Sequence, residues 1–388
     1  MENLTIKKIL DDRYSYYLEA QKRGGFYWDE YFKSWVVFDH ETINLILKDE
    51  RFTAKRKSKY IEMFNIDDEY KKALNNFYSK WLMYMDGEEH IHLKRKIQKP
   101  ISNINREVTQ IADTSLNLIT NSNIFLGDVD VINNIAIPFT NNFFASLFGI
   151  NEDDYSNILN KAKDALKFLW VPSHNNEEAI KTITSINNTY STISEIIENK
   201  RYSENRLLDL MIKEVGLNDD SLALIVNLIV DGHDPFLSSV KSYIYFHIKY
   251  KVRNIKNKQM VEETLRLECP FPLCARLSKE DLVVKSNKIQ KGERVILFIS
   301  SGNRDLKKYC PADTISELNS SEIQTFGVGV HYCIGATVTR QALLSLAKKM
   351  NNLEQLYEIN ILESKWEDSF GFRTLDKLKL KFIETSIV

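Results

Sequence analysis

Ten residues near the C-terminus constrain this chain more than any others: Phe326-Gly327-Val328-Gly329-Val330-His331-Tyr332-Cys333-Ile334-Gly335. They set a cysteine in a glycine-punctuated loop, just before a stretch, Ala336 to Leu346, able to form a helix. Glycine has no Cβ, so such a loop lets the backbone come close to a flat partner. A helix starting just past Cys333 brings N–H groups and its positive dipole end beside the sulfur, which favours the thiolate. That is the environment an axial thiolate ligand to haem iron requires. Such a ligand pushes electron density onto the iron and favours O–O cleavage. The plainer alternative, a buried structural cysteine behind a glycine turn, would not demand six fixed positions out of ten.

Few prolines (7) and glycines (13) interrupt the 388 residues, which suits long helices better than an all-β architecture. No Pro/Gly/Ser-rich linker or internal repeat divides the chain, so residues 1–388 are expected to form a single domain. Lys+Arg 52 against Asp+Glu 53 gives a formal charge of -1. That balance argues against a nucleic-acid footprint and offers no general attraction to anionic lipid. The segment Met1 to Lys8 turns acidic at Asp11-Asp12 without a continuous apolar core, and reads as neither signal peptide nor anchor. The longest apolar run, Leu222 to Val230 broken only by Asn227, falls short of the ~18 residues of a spanning helix. Cys269, Cys274, Cys310 and Cys333 show no C-x-x-C spacing. They read as three reduced thiols and one metal ligand in a cytoplasmic protein.

Patterning predicts a mainly α fold with a small β portion. Phe26 to Phe38 reads as a hairpin of short strands, and Asp39 as the cap of a helix from Glu41 to Leu47. Helical periodicity covers residues 68–80, 87–118, Ile135 to Phe148, Glu177 to Asn199 and 258–268. One long helix is expected from about Asp219 to Lys251. Asp281 to Ile299 alternates apolar and polar residues around Lys291-Gly292, as strands joined by a turn do.

The cysteine loop meets F-G-x-G-x-H-x-C-x-G at every fixed position and resembles the haem-binding loop of the cytochrome P450 family, the haem-thiolate monooxygenases. Further segments fall in the order that family requires. Glu263-Thr264-Leu265-Arg266 matches E-x-x-R, whose i, i+3 spacing lets the two charges pair on one helix face. In the family this pair has a third member, an arginine before the haem loop. Asp313 to Thr325 contains none, with Asn319 near the expected place, which implies that the pair does not close in the usual way. Asp86 to Arg95 resembles the segment D-P-P-x-H-x-x-L-R. It places His90 and Lys94 one helical turn apart, where both can point at one propionate. Lysine replaces the usual arginine there, a point charge in place of a bidentate fork. Arg276 and His331 match the other propionate contacts, and Phe326, Gly327 and Gly335 belong to the loop around the metal ligand Cys333. Away from the loop, His90 and Lys94 alone would read as a cationic helix face.

Asp231-Gly232-His233-Asp234-Pro235-Phe236 is a polar break inside an apolar helical stretch, and buried polar groups of that kind mark sites. The family pattern is A-G-x-[DE]-T. Gly232 matches the glycine that leaves room for oxygen, and Asp234 the acid that feeds protons through water. Pro235 stands in place of the threonine. It has neither hydroxyl nor N–H and frees the carbonyl of Asp231. Asp231 replaces a small apolar residue lining the substrate pocket, where it would recognise a basic or hydroxylated substrate group or else satisfy backbone or water. Three explanations stay open for Pro235: a substrate group supplies the missing hydrogen bond, ordered water anchored by Asp234 and the freed carbonyl does so, or ordinary oxygen activation has been lost.

The resemblance covers the chain from about Gly25 to its end. It implies a triangular fold with haem b (iron protoporphyrin IX) clamped between the long helix and the cysteine-side helix, and reductive activation of O2. Electrons would come from a ferredoxin or flavodoxin, docking where Lys94, Arg95, Lys96 and Lys99 cluster. Substrate contacts are expected from residues 55–80 and from Phe168 to Asn176, with Phe168, Leu169, Trp170 and Val171 as an apolar roof or as core. The expected role is tailoring in secondary metabolism, on a small molecule free or carried by a carrier protein. The alternatives are a P450 reaction other than hydroxylation, such as ring formation or coupling, and a non-catalytic haem-thiolate accessory protein.

Overall fold

Strands and helices form where the patterning places them, with their ends set by caps and by proline. The computed structural model describes residues 3–120, 127–170, 175–251, 255–316 and 322–385. The strands among them are β1 Phe26–Asp29, β2 Ser34–Val37, β3 Phe52–Thr53, β4 Gly127–Asp130, β5 Cys274–Ser278, β6 Leu282–Val284, β7 Asn287–Ile289, β8 Arg294–Leu297, β9 Tyr357–Trp366 and β10 Leu375–Glu384. The chain divides into two units. The first is Met1–Arg56, Val252–Cys333 and Trp366–Thr374; the second is Lys57–Lys251, Ile334–Lys365 and Leu375–Val388.

In the first unit a five-stranded sheet runs β1-β2-β8-β5-β3. Its period-2 alternation sends successive side chains to opposite faces. Val37, Val295 and Leu297 join a cluster with Ile43, Ile46 and Leu47 of helix His40–Lys48. Val36 and Ile296 join Tyr17, Phe38 and Phe298 on the other face. The helix begins where expected because the Asp39 side chain accepts from the Thr42 N–H at 2.9 Å.

The second unit is mostly helical. Phe139, Phe143 and Phe144 of helix Ile137–Phe148 surround Phe236, with the Phe143 and Phe236 rings stacked at 5.1 Å. A second sheet, β4-β10-β9, contributes strands to this unit. No helix among the described residues is long and apolar enough to cross a membrane.

Two expected helices are interrupted. Residues 87–118 form Gly87–Ile104 and Val108–Thr120. The stretch Asp219 to Lys251 forms Asp219–Asp231 and His233–Tyr250, with Gly232 between them. Proline explains the second break. Pro235 lies in the first turn of the later helix, where its missing N–H costs that helix nothing, but it cannot bond the carbonyl four residues back. Conversely, the helix expected from Ala336 to Leu346 continues to Leu356. Helix Glu152–Trp170, opened by three acidic residues, is one the patterning passed over.

Candidate active site

The cysteine loop is built on a buried ion pair. Glu263 and Arg266 lie on helix Asn257–Leu267, one turn apart and almost fully buried, with Arg266 Nε 2.7 Å from Glu263 Oε1. The pair does close, and main chain takes the place of the absent third side chain. Arg266 donates to the carbonyls of Asn303, Ala312 and Thr314 at 2.9, 2.6 and 3.0 Å, and Glu263 Oε2 accepts from the Ser316 N–H at 3.0 Å. A buried pair is tolerable only when its remaining hydrogen-bond capacity is met in this way. Asn319 lies outside the described residues.

The same helix holds the start of the loop. The Thr325 hydroxyl donates to the Leu265 carbonyl at 2.6 Å and accepts from Asn303 Nδ2 at 2.8 Å, while Asn303 Oδ1 accepts from the Gln324 N–H at 2.7 Å. Gly302 lies so close to Gln324 that a Cβ there would collide with its Oε1. Asn303, Gln324 and Thr325 thus position the loop, and no spacing in the sequence announced them.

From Gln324 the chain folds back on itself. The Gly327 N–H donates to Gln324 O at 2.8 Å and the Cys333 N–H to Phe326 O at 2.8 Å, around a tight turn at Gly329–His331. Gly327 and Gly329 sit at φ +70° and +71°, a region side chains avoid. Cys333 is exposed, unusual for a residue type that is normally buried. Beside it Val330 and Tyr332 expose 50% and 41% of their surface. A turn through glycines at positive φ, a presented thiol and exposed apolar side chains fit a flat, sulfur-ligated haem. Val328 packs in the cluster on the face of the sheet that carries Val295. Arg276 on β5 is directly paired with Val295, so it belongs to that face and is buried there.

In the second unit, His90 and Lys94 lie one turn apart on Gly87–Ile104, His90 buried and Lys94 half-buried. At the interrupted helix, His233 is the residue that sequence reasoning missed. It occupies the variable place of the pattern, yet its Nδ1 lies 2.9 Å from Asp234 Oδ1 and its Nε2 3.0 Å from Asn141 Oδ1. The ring is buried against Phe144 and Tyr155. Asp231 takes a hydrogen bond from Asn227, one turn earlier, but its Oδ1 is sealed from solvent with no partner. Burial, aided by the charge of Asp234, pushes the Asp231 carboxyl up to about 7.

Of the expected substrate wall, Phe168 is fully buried and stacks on Tyr78, with Tyr60 and Phe64 alongside, so it behaves as core. Val171 lies outside the described residues. The wall holds Lys57, whose ammonium donates to Phe168 O at 2.6 Å and lies 4.1 to 5.9 Å from four aromatic ring centres.

A family model described as Cytochrome P450 matches residues 257–350, the span from the buried ion pair through the cysteine loop and into the following helix. The biotin biosynthesis cytochrome P450 of Bacillus subtilis (strain 168) is 21% identical, with 97% of each chain covered. The polyketide biosynthesis cytochrome P450 PksS of the same organism is 23% identical over 89% of this chain and 88% of its own. Among solved structures, CalO2 superposes with a TM-score of 0.84 at 19% identity, covering 97% of each chain. P450BioI in complex with acyl carrier protein ligated to hexadec-9Z-enoic acid superposes with a TM-score of 0.82 at 19% identity, covering 98% of this chain and 100% of the other.

The fold is that of the solved P450 structures, and residues 257–350 carry the match to the Cytochrome P450 family model.

Proposed function

We propose that the chain is a haem-thiolate monooxygenase of the cytochrome P450 family that uses haem b, bound through Cys333, to oxidise a small organic substrate in a biosynthetic or natural-product tailoring step. The observation that carries the reading is the cysteine loop, closed by the Cys333-to-Phe326 hydrogen bond over two glycines in the left-handed region. Tailoring is supported by relatives named for biotin and polyketide biosynthesis. A carrier-bound substrate is supported by the related P450BioI, which was solved on a loaded acyl carrier protein.

Haem held by a thiolate supplies reductive activation of O2, with one oxygen atom going to substrate and the other to water. In this reading residues 1–388 act as a single P450 domain. His90, Lys94, Arg276 and His331 neutralise the propionates, and Phe326, Gly327 and Gly335 shape the loop around the ligand. Gly232 keeps the interrupted helix clear of a side chain. Asp234, oriented by His233, passes protons on toward the haem pocket. Pro235 contributes no hydroxyl, so delivery runs from Asp234 through water or a substrate group, which makes the oxygen activation atypical. Electrons come from a cytoplasmic ferredoxin or flavodoxin drawn to Lys94, Arg95 and Lys96. Lys99 is less suited, because Glu214 already holds it at 2.6 Å.

The test is the reduced carbonyl spectrum of the purified protein. The red-shifted band of thiolate ligation is expected, and Cys333→Ser should abolish it. A colourless protein, or a Cys333→Ser variant that keeps the band, would overturn the assignment.

A further inference from the structure

Helix Asp219–Asp231 ends in a group of hydrogen-bond acceptors with too few donors. Asp231 Oδ1 is sealed from solvent and has no partner. The main-chain carbonyl of the same residue comes four places before Pro235, which has no N–H to offer it. Both oxygens sit at a helix C-terminus, where the backbone dipole is negative. Asp234 adds a second carboxylate three residues on, and its charge disfavours ionisation of Asp231.

The nearest cationic candidate on these elements does not answer the deficit. His233 is next in the chain, but its two ring nitrogens are engaged by Asp234 and Asn141. Asn227 supplies one hydrogen bond to the carboxyl and carries no charge. What would satisfy the group is a positively charged donor with more than one N–H.

We propose that the Asp231 carboxylate and the Asp231 carbonyl left unbonded by Pro235 form a receptor for a cationic nitrogen group, an alkylammonium or guanidinium, carried by the substrate. A hydroxyl has one hydrogen to donate and no charge to set against the Asp231 carboxylate, whereas a guanidinium presents several N–H donors in a fixed fork. The inference rests on the monooxygenase reading in one respect only, that the bound molecule is the substrate. The retained proton fits the same picture: an arriving cation replaces it, so binding near pH 6 releases a proton from Asp231.

The probe is n-octylguanidinium, which keeps its charge and lacks a lone pair suited to iron, set against n-octanol of equal chain length. Binding to the haem-loaded protein is measured by calorimetry in buffers of different ionisation heat. The wild type is expected to prefer octylguanidinium by about 10- to 100-fold and to release a proton on binding. Asp231→Asn should lose both the preference and the proton release, while Asp234→Asn retains them. An undiminished preference in Asp231→Asn, its loss in Asp234→Asn alone, or equal affinity of the wild type for both probes would overturn the proposal. The last comparison needs no variant to fold. The reduced carbonyl spectrum of the same preparation reports on Cys333 separately, so failure of the haem assignment cannot be confused with failure of the receptor.

Discussion

Replacing Asp231 by Asn should change how the stability of the protein depends on pH. Burial raises this carboxyl from an ordinary 3.8 to about 7, so the folded protein keeps a proton that the unfolded chain releases. Stability from this group is therefore greatest at low pH and is lost as pH rises from about 4 to about 7, staying flat above that. Three pH units of difference correspond to about 4 kcal/mol. Because the residue as a whole is half-buried, water screens part of this, and roughly 2–4 kcal/mol is the expected range. Asparagine resembles the protonated acid in shape but does not titrate.

The assay is urea unfolding of wild type and Asp231→Asn at intervals from pH 4 to pH 8, followed by circular dichroism. Haem release and every other titrating group are common to both proteins and cancel in the difference. Any offset that the amide adds does not vary with pH. The variant should gain roughly 2–4 kcal/mol on the wild type across the range, with the change centred between pH 4 and 7. Curves that stay parallel to within about 0.5 kcal/mol would show that Asp231 is ionised in the folded protein, and the desolvation argument would fail.

Other substitutions test the remaining parts. Arg266→Met strands Glu263 in the core and leaves the carbonyls of Asn303, Ala312 and Thr314 unbonded, so it should cost about 3–5 kcal/mol in urea unfolding. Lys57→Met removes a charged hydrogen bond to Phe168 O and the cation over four rings, and a loss of about 2–3 kcal/mol is expected by the same measurement. Pro235→Thr restores an N–H to the Asp231 carbonyl while giving up the stiffness of proline. Its stability should stay within about 1 kcal/mol of wild type, but the fraction of electrons reaching product should shift and the affinity for octylguanidinium should fall.

The cysteine loop was legible because its requirements are local: glycines at positive φ, a thiol, and a helix beginning soon afterwards, all within some twenty residues. The Asp39 cap and the hairpin were legible for the same reason, since each is settled by residues within hydrogen-bonding reach along the chain. The support of the loop was not. Asn303 joins Arg266, Gln324 and Thr325 across separations of 21 to 37 residues, and an Asn or Gln has no periodicity that could mark it in advance. The missing third member of the E-x-x-R pair misled for a related reason. A side-chain pattern counts side chains, and main-chain carbonyls that can do the same work leave no trace in it.

The interrupted helix shows how much a single residue decides. Apolar periodicity runs on through residues 219–251, so it cannot report where one helix ends and the next begins. Pro235 carries that information, and its effect falls four residues upstream, on the carbonyl of Asp231. A threonine at 235 would bond that carbonyl and offer a hydroxyl besides; proline withdraws both. The acidic residue at 231 then makes sense as part of the same departure, because an unbonded carbonyl and a carboxylate at one helix end attract the same kind of partner. If the two residues work together, Asp231→Asn and Pro235→Thr should each weaken guanidinium binding, and the double variant should lose less than the sum of the two, since either change already removes one arm of the receptor. Strictly additive losses would mean that the carbonyl and the carboxylate serve different ends.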